Sequence, residues 1–204
     1  MIAIVNYGSG NIQAIANIYR RLAVPFVIAS SPADLEGAER VILPGVGAFD
    51  QAMDELNHSG LRQALDHIVL EKRTPLLGIC VGMQLLAKRS DEGALPGLGW
   101  IDGEVRKFEP NDQTPPMRLP HMGWNDVRPA VTHSLFDGVE LESGYYFLHS
   151  YYFACHRPGD VLATTTYGNE FASAVARDNV FGVQFHPEKS HAAGIQLLKN
   201  FSQA

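Results

Sequence analysis

Two short stretches carry residues whose types and spacing suit nucleophilic chemistry. Gly78-Ile79-Cys80-Val81-Gly82 has the form G-x-C-x-G and sits where the apolar run Thr74 to Ile79 meets a segment of helical spacing, the cysteine counterpart of a nucleophile elbow. A sharp strand-to-helix turn holds the nucleophile in a strained conformation, and flanking residues without side chains let neighbouring elements approach. Such a turn stands Cys80 exposed at a sheet edge, with the unpaired amides of the next helix turned toward the sulfur, where they can stabilise an oxyanion. A free cysteine more often merely packs in a core. That is the reading of Cys155, which lies in the strand-like Tyr151-Tyr152-Phe153-Ala154-Cys155 with no glycine turn.

The second stretch is Phe185-His186-Pro187-Glu188. Pro187 biases His186 toward extended backbone, and in extended chain residues i and i+2 project to one side. His186 and Glu188 can therefore share a face, the carboxylate orienting the imidazole while the other ring nitrogen meets a thiol. The same tripeptide also suits a turn histidine followed by a helix-capping glutamate. A zinc site using His186, Glu188 and His191 is disfavoured, because the spacing is not His-Glu-x-x-His and no cysteine pair accompanies it. His58, His67, His133 and His156 have no chemical partner nearby in sequence and are read as surface residues.

These residues need a scaffold. Ile2 to Tyr7 is β-prone, ends in Gly8-Ser9-Gly10-Asn11, and is followed by Ile12, Ile15, Ala16, Tyr19 and Leu22 at helical spacing. Strand-like Phe26 to Ile28 and Arg40 to Leu43, helical Leu61, Leu65, Ile68 and Val69, strand Thr74 to Ile79 and helix Val81 to Lys88 continue the alternation. That order predicts an α/β fold with a mostly parallel central sheet flanked by helices. After Trp100 the β-prone runs Glu104 to Phe108, Tyr145 to Phe153, Val161 to Thr166, Ala172 to Val175 and Val180 to Phe185 predict additional antiparallel strands in the C-terminal half. Ile195, Leu197, Leu198 and Phe201 predict a closing helix, and Glu109 to Pro116 a loop, so residues 1–204 read as one domain.

Composition narrows the function classes. At 46% hydrophobic and 19% charged, with net charge −6 and no basic face, the chain suits a globular protein and not a nucleic-acid binder. No apolar run reaches membrane-spanning length, the start lacks a basic leader, and two cysteines are too few for a disulfide framework. A cytoplasmic location with free thiols is the expectation.

Cys80 in Gly-Ile-Cys-Val-Gly-Met-Gln, Pro44-Gly45-Val46-Gly47-Ala48-Phe49 and Phe185-His186-Pro187-Glu188 together resemble class I, triad-type glutamine amidotransferases, in that family's order and spacing across nearly the whole chain. Asn6-Tyr7-Gly8-Ser9-Gly10-Asn11, Leu119-Pro120-His121-Met122-Gly123-Trp124-Asn125, Phe147-Leu148-His149-Ser150-Tyr151 and His186-Pro187-Glu188-Lys189-Ser190 look, within that class, like the glutaminase subunits of imidazole glycerol phosphate synthase. The resemblance implies a flavodoxin-like fold, a Cys80, His186 and Glu188 triad acting on L-glutamine, and neither cofactor nor metal. It also implies a heterodimer with a separate (β/α)8-barrel cyclase, which uses the ammonia to make imidazole glycerol phosphate and aminoimidazole carboxamide ribonucleotide. At 204 residues there is no room for that barrel, so a partner must supply it. Amidotransferases serving anthranilate, aminodeoxychorismate, guanosine monophosphate or carbamoyl phosphate synthesis are the alternative, against which the His-Met-Gly-Trp-Asn stretch and short length argue.

Position by position, the resemblance implies that Val46, Gly47 and the amide of Val81 hold the oxyanion. Gly45, Gln84, Glu92, and His149, Ser150 and Tyr151 through their backbone would bind glutamine; Asn11, His121, Trp124 and Lys189 would face the partner. Without it, Pro44 to Gly47 is a plain turn, Gln84 is a polar residue on a helix, Glu92 is a solvated charge, and Trp124 is a lobe-core aromatic. The resemblance further implies a subunit nearly idle until the cyclase binds and the glycine loop rearranges.

Overall fold

A strand that is apolar at every position is stable only with both of its faces covered, and the chain begins with one. The computed structural model describes residues 1–109, 117–140 and 144–203, so the Glu109 to Pro116 loop lies, from residue 110 onward, outside the described residues. In chain order the elements are β1 (Ile2–Val5), α1 (Ile12–Arg21), β2 (Phe26–Ala29), β3 (Arg40–Gly45), α2 (Phe49–His58), α3 (Leu61–Asp66), β4 (Leu76–Cys80), α4 (Val81–Gln84), β5 (Gly103–Lys107) and β6 (His121–Asn125). They continue with β7 (Arg128–Pro129), β8 (Tyr145–His149), β9 (Tyr151–Cys155), β10 (Val161–Tyr167), β11 (Asn169–Arg177), β12 (Val180–Val183) and α5 (His191–Phe201).

One ten-stranded sheet runs β2-β1-β3-β4-β12-β11-β10-β7, with β9 branching from β11 and carrying β5. From β2 to β12 the neighbours are parallel; from β12 to β7 they are antiparallel. β6 and β8 form a separate two-stranded sheet. This is the mixed architecture expected from the sequence. Every residue of β1, β4 and β12 is buried. Helix α1 covers the sheet with Ile15, Ala16, Ile18 and Tyr19, each large apolar side chain contributing about 1.5–3 kcal/mol. The Tyr19 hydroxyl donates to the Leu198 carbonyl at 3.1 Å and so ties α1 to α5. Among the described residues no helix is long and apolar enough to cross a membrane.

Several boundaries depart from the sequence reading. Helix Val81 to Lys88 stops at Gln84. The carbonyls of Leu85, Leu86, Ala87 and Lys88 are taken instead by the amides of Leu98, Ile101, Gly99 and Gly97, a non-local pairing that replaces the helical one. Tyr145 to Phe153 is two strands broken at Ser150. The helix marked by Leu61 to Val69 ends in a wider π turn, His67–Glu71, and α2 and β6 were not anticipated as elements.

Candidate active site

The carboxyl edge of the parallel strands positions the site. β3 and β4 end in register, Gly45 opposite Cys80. Cys80 has φ 55° and ψ −112°, a conformation costly for a residue with a side chain and typical of functional strain. Gly82 explains the second glycine of the elbow: a Cβ there would lie 1.9 Å from the Leu43 carbonyl oxygen. A side chain would therefore push α4 off β3. Cys80 is not exposed as expected but 3% accessible, reached from a pocket rather than from the surface.

His186 and Glu188 meet as extended geometry predicts, His186 Nδ1 lying 2.8 Å from Glu188 Oε1, both side chains buried. That leaves Nε2 for Cys80, whose charge acts on the ring. The His186 backbone is fixed by the Tyr146 carbonyl at 2.9 Å and by Ser190, whose hydroxyl donates to the His186 carbonyl at 2.6 Å and accepts from the Tyr146 amide at 3.0 Å. Burial alone would push the imidazole down, but the charge and hydrogen bonds of Cys80 and Glu188 outweigh it and raise His186 to about 10. Burial would likewise raise the Glu188 carboxyl, yet the bonds and charge of His186 and the Asn11 amide hold it below the usual carboxylate range. Asn11 Nδ2 donates to Glu188 Oε1 at 2.7 Å, so this residue, expected to face a partner, also braces the carboxylate.

A pocket of about 270 Å³ opens above Cys80, near the lower end of small-molecule sites. Val46, Gly47, Val81, Gln84, Glu92, His149, Ser150, Tyr151, His186 and Lys189 line it, with Pro120 and Leu148, which sequence reasoning missed. Gly45 does not line it; it is wedged behind the wall, where a Cβ would meet the Gly82 nitrogen at 2.6 Å. Gln84 donates to the Tyr151 carbonyl and to Gln184 Oε1, each at 3.0 Å, and Gln184 Nε2 reaches Cys80 Sγ at 3.8 Å. Glu92 caps α2 by accepting from the Phe49 amide at 2.9 Å. Gln184 carried no motif beyond its neighbours and no signal that could have found it.

Val46 is corrected as an oxyanion donor. Its amide donates to Ser9 Oγ at 2.9 Å, and the same hydroxyl donates to the Val46 carbonyl at 2.7 Å. His121 is also corrected, because it is 3% exposed and presents no surface to a partner. It lies between the rings of Phe147 and Tyr167 and contacts His149 Nε2 through Nδ1 at 2.9 Å. His149 Nδ1 donates in turn to the Tyr151 carbonyl at 2.7 Å, and Asn125 Nδ2 donates to His121 Nε2 at 3.2 Å, which fixes both tautomers. Burial lowers His149 to about 3 and His121 to about 4, so both rings are neutral. Trp124, by contrast, is 48% exposed, stacked on His191 beside exposed Met122, and Lys189 is exposed near Tyr146. Among the described residues no cluster suits a metal ion.

A sheet-edge nucleophile with a paired imidazole and carboxylate, under a pocket lined by backbone and amide groups, can carry out acyl transfer. Known proteins narrow the class. The family profile Glutamine amidotransferase class-I matches residues 3–204. The chain is 57% identical over 203 residues to Imidazole glycerol phosphate synthase subunit HisH of Bdellovibrio bacteriovorus, covering all of both chains. It is 49% identical over 201 residues to subunit HisH 2 of Pseudomonas aeruginosa, covering 98% of each. In fold it is similar to a crystal structure of a glutamine amidotransferase, with TM-score 0.74 and 22% identity over 100% of this chain and 98% of that one. The elbow, the histidine and carboxylate pair and the full-length match together establish that the chain belongs to the class-I glutamine amidotransferase family.

Proposed function

We propose that the chain hydrolyses L-glutamine to glutamate and ammonia as the glutaminase subunit of imidazole glycerol phosphate synthase. The observation that carries the chemistry is the buried His186 and Glu188 pair at 2.8 Å beside Cys80 at the pocket floor. The likeness to subunits of that synthase supports the pathway and the partner, a cyclase of (β/α)8 form that receives the ammonia in a cytoplasmic heterodimer.

His186 carries at Nε2 the proton it has taken from Cys80, while Glu188 keeps the Nδ1 proton in place. The sulfur adds to the glutamine amide carbon, and the new oxyanion rests on the Val81 amide, at the unpaired end of α4, and on the Gly47 peptide. His186 then protonates the leaving nitrogen, and ammonia departs, leaving a γ-glutamyl thioester. Water that gives its proton to the same imidazole cleaves the thioester and regenerates the thiol. Gln84 and Glu92 hold the amide and ammonium ends of the substrate, the backbone of residues 149–151 binds it as well, and no cofactor takes part. Trp124 and Lys189 dock the cyclase, large exposed aromatics being favoured anchors.

The test is to mix the protein with a barrel cyclase, glutamine and the formimino ribonucleotide and follow imidazole glycerol phosphate. Cys80→Ala is expected to abolish glutamine-dependent turnover and to keep turnover with ammonium salt. A variant that retains glutamine-dependent turnover would remove Cys80 from its role.

A further inference from the structure

We propose that Gln184 is a specificity-determining, positioning residue. It fixes the Gln84 amide so that the pocket meets its oxygen, which admits the γ-amide of glutamine and turns away the γ-carboxylate of the product. The inference rests on the glutaminase reading and adds to it how substrate and product are told apart. Gln184 follows β12 directly and is wholly buried, and its backbone amide donates to the Ser173 carbonyl at 2.9 Å. It does not itself line the pocket. Its side chain acts on the site only through Cys80 and Gln84.

Each end of the Gln184 amide has a partner. Its Nε2 donates to Cys80 Sγ at 3.8 Å, and its Oε1 accepts from Gln84 Nε2 at 3.0 Å. Turned over, it would set an oxygen against the lone pairs of the sulfur and a donor against the Gln84 donor. The sulfur therefore selects one orientation of Gln184, and Gln184 selects one orientation of Gln84. The Tyr151 carbonyl makes the same demand, accepting from Gln84 Nε2 at 3.0 Å while His149 Nδ1 holds that carbonyl at 2.7 Å. Both protons of the Gln84 amide nitrogen are thus engaged by oxygens of the protein. Its Oε1 receives no donor among the described residues, and Gln84 belongs to the pocket wall. What Gln84 has left for a ligand is an acceptor.

An acceptor at that point discriminates between the two ligands. The γ-amide of glutamine carries N–H donors that can meet Oε1. The γ-carboxylate of glutamate carries acceptors only, so beside Oε1 it loses water without gaining a donor. A site built to pair a donor rejects a ligand that lacks one far more strongly than a difference in size would. A Gln84 amide free to turn would offer its N–H groups to either ligand, and glutamate formed in the pocket would linger there.

The experiment uses the chain paired with the cyclase and measures the KM for glutamine and the inhibition constant Ki of added glutamate. The ratio Ki/KM reports the preference. Gln184→Met, similar in length but without donor or acceptor, is expected to lower that ratio about tenfold, through a weaker KM and a tighter Ki. Gln184→Glu still offers an oxygen to Gln84 Nε2, whatever its charge, and should keep the wild-type ratio. A residue that merely packs would lower Tm and leave the ratio alone. If Gln184→Met does not fold, Gln184→Asn, whose amide stops one methylene short of Gln84, must show the fall. A folded Gln184→Met with the wild-type ratio overturns the assignment, as does a Gln184→Glu ratio that falls as far. If the wild-type pair releases no Cys80-dependent ammonia, the glutaminase reading fails and takes the assignment with it. A working wild type whose variants keep its ratio condemns the assignment alone.

Discussion

The parallel and antiparallel halves of the molecule each hold one cysteine, and the less accessible of the two is the one placed for chemistry. Cys80 ends a fully buried strand at positive φ, 3% exposed, with an imidazole and a pocket against it. Cys155 is half-buried on β9, paired in ordinary antiparallel register with Gly103. Burial and the neighbouring Asp160 push its thiol up to about 12. Exposure is thus a poor guide to reactivity. A strained turn at a sheet edge, facing a paired base, matters more than access to bulk water.

The contrast is open to direct attack. The largest effect is expected at the two thiols: Cys80→Ala should lower glutamine hydrolysis by at least about 10⁴-fold, whereas Cys155→Ala should leave ammonia release at the wild-type rate. Equal losses would erase the distinction. Next, Glu188→Gln should lower kcat by on the order of 10²–10⁴-fold, as loss of an orienting carboxylate does elsewhere. The pH profile should move as well. His186, held at about 10 by Cys80 and Glu188 against the effect of burial, stays protonated until pH passes that value. Removing the carboxylate charge lowers the value, so the alkaline limb should shift to lower pH.

Backbone tolerance should differ in the same direction between the Cys80 elbow and the Pro158–Asp160 turn of the antiparallel half. Gly82→Ala drives a Cβ to 1.9 Å from the Leu43 carbonyl, whereas a Cβ at Gly159 meets nothing within 4 Å. Urea unfolding should show a loss of about 1–3 kcal/mol or more for the first and almost none for Gly159→Ala. The effect smallest per pH unit concerns acid stability of the β6 and β8 pair. Unfolded His149 takes up a proton below its ordinary 6.5, while the folded ring resists until about 3, chiefly through burial. Stability should therefore fall as pH drops through that window, by about 1.4 kcal/mol per pH unit. His149→Asn should flatten the slope in pH-dependent denaturation, and an unchanged slope would refute the neutral histidine chain.

The parts of the site legible in the sequence are those with short-range signals. Cys80 announces itself through two glycines two residues away on either side, and His186 and Glu188 through a proline that sets the backbone between them. Asn11, Gln84 and Glu92 were visible only by resemblance, since a single polar residue on a helix or loop carries no local pattern. Gln184 escaped as a functional candidate, and Ser9 as a neighbour of the glycine loop, because their partners, Cys80 and Val46, lie 104 and 37 residues away. His121 misled for a similar reason. On β6 it points opposite to the exposed Met122, and strand pairing with β8 decides which face is covered.

By itself the sequence determined the alternation of strand and helix, the elbow, and the pairing of an imidazole with a carboxylate two residues on. Each follows from local sterics and from the two-residue period of extended chain. Tertiary structure alone decided that Cys80 opens into a pocket, that Gly45 is wedged behind it, and that the Val46 amide is bonded to Ser9. Those facts depend on the register of β3 against β4 and on a turn from β1 reaching across to the next strand's end. Contacts between distant segments are set by packing, which no window along the chain contains.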